Sequence, residues 1–77
     1  MAPSIQANAP APRELLTARE RAVLNQIGRG ASSKEAGATL GISARTIEFH
    51  RANIMRKLGV KKIVDLMMLA LLNGEGR

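Results

Sequence analysis

"SSKEAGATLGISARTIEFHRANIMRKLG", Ser32 to Gly59, is the stretch that decides the fold of this chain. It opens on a capping box, in which the Ser32 hydroxyl accepts from the third helical amide and Glu35 reaches back. A short helix runs to Leu40, Gly41 stops it, and Ser43 caps the next. That next helix extends from about Ala44 to Leu58, with Gly59 just past its end. A short helix, a glycine-containing turn and a longer helix make the helix-turn-helix pattern. Many α-proteins that bind no nucleic acid contain it, so the pattern needs a second observation.

Periodicity supplies one. At about 100° per residue, Ile47, Ile54 and Leu58 form one apolar stripe of the longer helix, with Met55 at its edge. Opposite them lie Arg45, Glu48, Phe49, Ala52, Asn53 and Arg56. Phe49, the only aromatic residue of the chain, therefore falls on the polar face. In a major groove Phe49 suits a thymine methyl, Asn53 an adenine, Arg45 or Arg56 a guanine, and Glu48 a cytosine amino group. The competing reading folds Phe49 over the helix-turn-helix elbow and leaves it half-buried.

Ser43 and Thr46 lie at the first turn, where hydroxyls and free amides fit a phosphate oxygen. Simple capping accounts for them equally well. Lys57, Lys61 and Lys62 extend the positive surface past the helix end, which gives sequence-independent attraction to phosphate. Such a run is often only a solvated face. His50, the one histidine, falls between the stripe and the polar face, where a hydrogen bond to phosphate or to a backbone carbonyl is expected. With no cysteine and no second histidine, metal binding and nucleophilic catalysis lack partners; no cofactor is expected.

Outward from this core, "TARE", Thr17 to Glu20, is a second capping box, and Leu16 and Arg21 stand where a hydrophobic staple would pack. Val23, Leu24 and Ile27 give that helix its apolar face, and "GRG" at Gly28 to Gly30 ends it. Gly37 lies inside the short helix at a cost of about 1 kcal/mol against Ala. Close approach of another helix backbone is the expected return. Residues 1–13 hold all three prolines and read as a flexible linker or tail, with the domain over 14–77. A linker at the start suggests the C-terminal piece of something longer, with a stand-alone small protein carrying a loose tail as the alternative. No strand alternation is visible, so the class is all-α.

The chain has 77 residues and a net charge of +6. That length allows one small domain, and the charge favours an anionic partner, nucleic acid or an acidic membrane surface. No signal peptide and no apolar run of the ~18–20 residues that span a bilayer is present. The chain reads as cytoplasmic.

The stretch "LTARERAVLNQIGRGASSKEAGATLGISARTIEFHRANIMRKLGV", Leu16 to Val60, resembles the LuxR-type, or NarL/FixJ-type, DNA-binding domain. The family pattern is L-T-x-R-E-x-x-V-L, then G-x-S-x-K-E-I-A-x-x-L-x-I-S-x-R-T-V-x-x-H, then I-x-x-K-L. "RTIEFHRANIMRKL" is most similar to the FixJ branch of response regulators. The resemblance implies a four-helix transcription-regulator domain whose third helix enters the major groove and whose fourth forms a dimer interface. It implies base contacts from Glu48, Phe49 and Ala52 and backbone contacts from Thr46 and Lys57. In many relatives a receiver domain precedes this one. Ala36 and Gly37 depart from the family's Ile-Ala, which thins the core there. Ala52 is too short to hydrogen-bond a base, and Arg51, often apolar in relatives, is expected to turn outward to phosphate.

"IVDLMMLALLN", Ile63 to Asn73, is apolar nearly all round and must be covered on more than one side. Ile63, Leu66, Met67 and Ala70 are expected to face the other helices. Val64, Met68 and Leu72, with Leu71 beside them, remain open, and a symmetric dimer would bury them. Contact with a receiver domain is a competing reading of this stripe; membrane binding is disfavoured because the helix lacks a basic polar face. The sequence thus reads as a sequence-specific DNA-binding regulator domain without enzymatic activity. Its expected partners are double-stranded DNA, a second copy on DNA, an N-terminal receiver domain and RNA polymerase. The rival readings are a sigma-factor region 4-like promoter-binding domain and a protein-interaction module built on the last helix.

Overall fold

A computed structural model describes residues 15–72. Among them are four helices, α1 (Ala18–Gly28), α2 (Ser33–Leu40), α3 (Ala44–Leu58) and α4 (Ile63–Leu72), and no strand, as the all-α reading requires. The proposed tail at 1–13 and Asn73, where the sequence pattern ends the last helix, lie outside the described residues.

Local chemistry sets the helix boundaries. Both capping boxes form: the Glu20 amide donates to Thr17 Oγ1 and the Thr17 amide to Glu20 Oε1, at 3.1 and 2.9 Å. Ser32 and Glu35 repeat the arrangement at 3.1 and 2.8 Å. The three C-terminal ends share another device. Gly30, Gly41 and Gly59 all have φ between +72° and +83°, the left-handed region that glycine enters without a Cβ penalty. The residues after them, Ala31, Ile42 and Val60, donate amides back to Gln26, Gly37 and Met55 carbonyls at 2.9–3.0 Å. This is the Schellman closure, with each apolar residue after the glycine packed against the core. Leu16 and Arg21 do not form an apolar staple. Leu16 enters the core, and Arg21 Nη1 donates to its carbonyl at 2.9 Å.

Helix α1 touches each of the other three helices. Val23, Leu24 and Ile27 on its inner face meet Ile47 and Ile54 of α3 and Leu66 and Ala70 of α4 in one core. Full burial of each large aliphatic side chain contributes about 1.5–3 kcal/mol. Gly37 is the point of close approach between α2 and the turn into α3. A Cβ there would stand 2.5 Å from the Ile42 carbonyl oxygen and 3.3 Å from the Ala44 nitrogen. The neighbour is the turn itself, so glycine sets how tightly α2 folds back on α3.

Helix α4 seats only Leu66 and Ala70 fully. Ile63 and Met67, expected inside, are 38% and 36% exposed and sit at the edge of the core. Val64, Met68, Leu71 and Leu72 are 53–77% exposed. The open stripe read from the sequence is present, and broader than expected. No helix among the described residues is long and apolar enough to cross a membrane.

Candidate nucleic-acid interface

The two faces of α3 differ in kind. Ile47 and Ile54 are buried, with Met55 and Leu58 packed beside them. Arg45, Glu48, Phe49, Ala52 and Arg56 are exposed, and Asn53 is half-buried. Phe49 is 65% exposed, so it does not fold over the elbow. Its ring partner among the described residues is His50, edge-on at 6.0 Å between centroids. An apolar ring thus stands out of a charged helix face, between one carboxylate and two guanidinium groups. Such a face offers a hydrogen-bond acceptor, several donors and one apolar contact along a single line, the set that reads base edges in a major groove.

The start of α3 is capped by Ser43, whose Oγ accepts the Thr46 amide at 3.0 Å and lies 2.9 Å from Thr46 Oγ1. Capping is therefore realised. One of the two paired hydroxyls still has a hydrogen to donate outward, at the positive end of the helix dipole. His50 is half-buried and makes no side-chain hydrogen bond to a described residue, so the expected bond to a backbone carbonyl is not formed. Lys61 and Lys62 are exposed just beyond Gly59.

Lys57 has an internal partner that the sequence reading did not supply. Its Nζ lies 2.7 Å from Glu20 Oε1, the oxygen that also accepts the Thr17 amide. The Glu20 side chain is only 7% exposed and that of Lys57 34%. Burial, the largest influence, pushes the Glu20 carboxyl up. The Lys57 hydrogen bond, the Thr17 backbone bond, the Lys57 charge and the Thr17 hydroxyl together outweigh it, and the carboxyl ends below its ordinary range. The pair fastens the C-terminal half of α3 to the start of α1. Glu20 is thus the residue of this region that the sequence reading assigned to capping alone.

Arg51 also borders a second feature of the surface. It is half-buried and lines a cleft of about 140 Å³ with Ile27, Ala36, Ile47, Ile63 and Met67. No cluster of His, Cys, Asp and Glu able to hold a metal ion occurs among the described residues.

Comparison with known proteins agrees with this geometry. The model of bacterial regulatory proteins, luxR family, matches residues 14–70. The chain belongs to the luxR family of bacterial regulatory proteins. It is similar to the transcriptional regulatory protein UhpA of Escherichia coli (strain K12), 49% identical over 51 residues, 66% of this chain and 26% of that protein. It is likewise similar to the transcriptional regulatory protein FixJ of Rhizobium meliloti (strain 1021), 41% identical over 63 residues, 82% and 31% of the two chains. The response regulator protein TodT of Pseudomonas putida (strain F1) is 41% identical over 73 residues, 87% and 32%. The chain thus spans between about a quarter and a third of the length of these relatives. No solved structure matches it. These matches agree with the FixJ-like branch, and they do not favour a sigma-factor region or a pure protein-interaction module. The luxR-family domain described by these residues is a DNA-binding helix-turn-helix unit of transcriptional regulators, a class that is not an enzyme class.

Proposed function

We propose that this luxR-family domain is the C-terminal effector domain of a cytoplasmic two-component response regulator, binding palindromic DNA as a homodimer and catalysing no reaction. The observation that carries the DNA-reading surface is Phe49, 65% exposed among Arg45, Glu48, Ala52 and Arg56 on the face of α3 opposite its core stripe. Glu48 and Phe49 are the base readers. Arg45, Asn53 and Arg56 reach flanking bases or phosphates, and Ala52 lets the helix lie close. Ser43, Thr46, His50 and Lys61 contact the backbone. Lys57 first serves Glu20 and adds only a long-range positive potential at the DNA.

Dimerisation uses Val64, Met68, Leu71 and Leu72. One short helix per partner covers less than the ~1,200 Å² of stable complexes, so pairing is weak without DNA. Two-fold pairing matches half-sites separated by a turn of DNA. The receiver domain and RNA polymerase are the remaining partners of the full-length regulator, inferred from the relatives named as response regulators. The test is selection of bound duplexes from random oligonucleotides at two salt concentrations. A palindromic consensus with a thymine in each half-site is the expected result. Enrichment of single, non-repeated sites would remove the dimer, and no enrichment at all would remove sequence reading.

A further inference from the structure

The cleft beside Arg51 lies off the DNA-reading face. On α3, Arg51 is one turn on from buried Ile47, about 40° around the helix, whereas Glu48, Phe49, Ala52 and Arg56 lie roughly 100–200° around. Ile27, Ala36 and Ile47 line the cleft with Ile63 and Met67 of α4, and residues 30–33 of the α1–α2 turn, Ala31 and two serines among them, complete it. Ile63 and Met67 are 38% and 36% exposed, so the apolar surface continues out of the cleft along α4. Ala36, only 1% exposed, is among the residues that line it, and a larger side chain there would take up part of its volume. Arg51 has no ion-pair or hydrogen-bond partner among the described residues.

Size decides the kind of occupant. At about 140 Å³ the cleft falls well below the ~300–1,000 Å³ that encloses a free small molecule. It is the size of one large apolar side chain, the anchor pocket of a protein contact. The guanidinium at its side calls for an oxyanion next to that anchor, and its planar fork of donors matches carboxylate and phosphate alike. In a peptide seated by an apolar anchor that oxyanion is a carboxylate, as the +6 charge of the chain also favours.

We propose that this cleft docks an acidic, apolar peptide segment of another protein, with one Leu- or Phe-like side chain inserted above Ala36 and a neighbouring Asp or Glu on Arg51. Because the cleft and the reading face of α3 are different surfaces, the segment binds while DNA is held. The proposal does not depend on how the domain dimerises or which bases it reads.

The test is an NMR titration of the isotope-labelled chain with the blocked tetrapeptide acetyl-Glu-Leu-Phe-Glu-amide, against acetyl-Lys-Leu-Phe-Lys-amide. The acidic peptide should shift the amides of Ala31, Ala36, Arg51 and Met67, and the basic one should not. Arg51→Glu should weaken the acidic peptide about tenfold and bring in the basic one. Ala36→Leu should fill the cleft and lose binding of the acidic peptide; if it unfolds, the charge exchange at Arg51 decides alone. Phe49→Ala should leave the peptide shifts intact, which separates failure of this site from failure of DNA reading. Four results would overturn the proposal: equal shifts with both peptides, no shift with either, the same shifts on adding octanoate or on concentrating the chain alone, or protection of these amides by duplex DNA.

Discussion

Helices α3 and α4 both present apolar side chains to solvent, and they do so differently. On α3 a single ring, Phe49, rises from a field of Arg45, Glu48 and Arg56. On α4 the exposed residues Val64, Met68, Leu71 and Leu72 adjoin one another, with Asp65 at the margin. An isolated apolar group among charges is suited to a polar polymer that offers one methyl among many hydrogen-bonding edges. A contiguous apolar stripe is suited to another apolar stripe. The supports differ too: α3 is capped by Ser43, closed by Gly59 and fastened by Lys57 to Glu20, whereas α4 rests on Leu66 and Ala70. Precision is concentrated in the helix that has to present its residues at fixed angles.

The strongest way to break this contrast is to disturb how α3 is aimed. Gly37→Val would push a side chain against the Ile42 carbonyl oxygen and the Ala44 nitrogen, backbone atoms that cannot rotate away. A loss of about 3 kcal/mol is expected, the upper end of overpacking effects, together with loss of binding to any duplex. Chemical denaturation and DNA titration of the same sample measure both. An unaltered midpoint would mean that the turn yields and that α3 is not fixed from this side.

Lys57→Ala should rank second, at about 2 kcal/mol, because it leaves a buried carboxylate without its ammonium partner. The lowered Glu20 pKa contributes stability that is present above the unfolded carboxylate pKa and lost as pH falls through the folded one. With Lys57 gone, its hydrogen bond and its charge no longer hold the carboxyl down, and the pKa rises. The acid limb of the midpoint-against-pH curve should therefore move to higher pH in the variant. If the midpoint and this limb stay in place while the salt slope of DNA binding drops by about one unit, Lys57 is a phosphate contact after all.

Phe49→Ala sharpens the comparison from the other side. It should cost about 1–3 kcal/mol of binding at one base pair, the range of a single base contact, with almost no change in thermal midpoint. A large fall in stability at unchanged affinity would return Phe49 to the core. Met68→Glu should have the smallest effect on the isolated domain, within about 0.5 kcal/mol of the parent. Placing carboxylates near the two-fold axis should nevertheless abolish cooperative binding to a palindrome and spare a half-site. Equal weakening on half-site and palindrome would assign the α4 stripe to folding.

Much of the fold and part of the site are legible in the residues. Thr17 with Glu20, Ser32 with Glu35, and the glycines at 30, 41 and 59 act on neighbours within a few positions, where helix geometry alone dictates who meets whom. The same holds for the two faces of α3, since a period of 3.6 residues places Phe49 opposite Ile47 whatever surrounds the helix. Glu20 escaped because the capping box explained it fully. Its second partner is 37 residues away and shares the same oxygen.

The sequence alone thus determined where helices start and stop, which side of α3 is apolar, and the resemblance that the family match bears out. Tertiary structure decided three other matters. It gave the Lys57 ammonium to Glu20, placed Arg51 beside a cleft that α4 residues also line, and left Ile63 and Met67 at the edge of the core. Each depends on the angle and distance at which two helices cross. Those follow from the summed packing of the buried side chains, and no short stretch of sequence encodes them by itself.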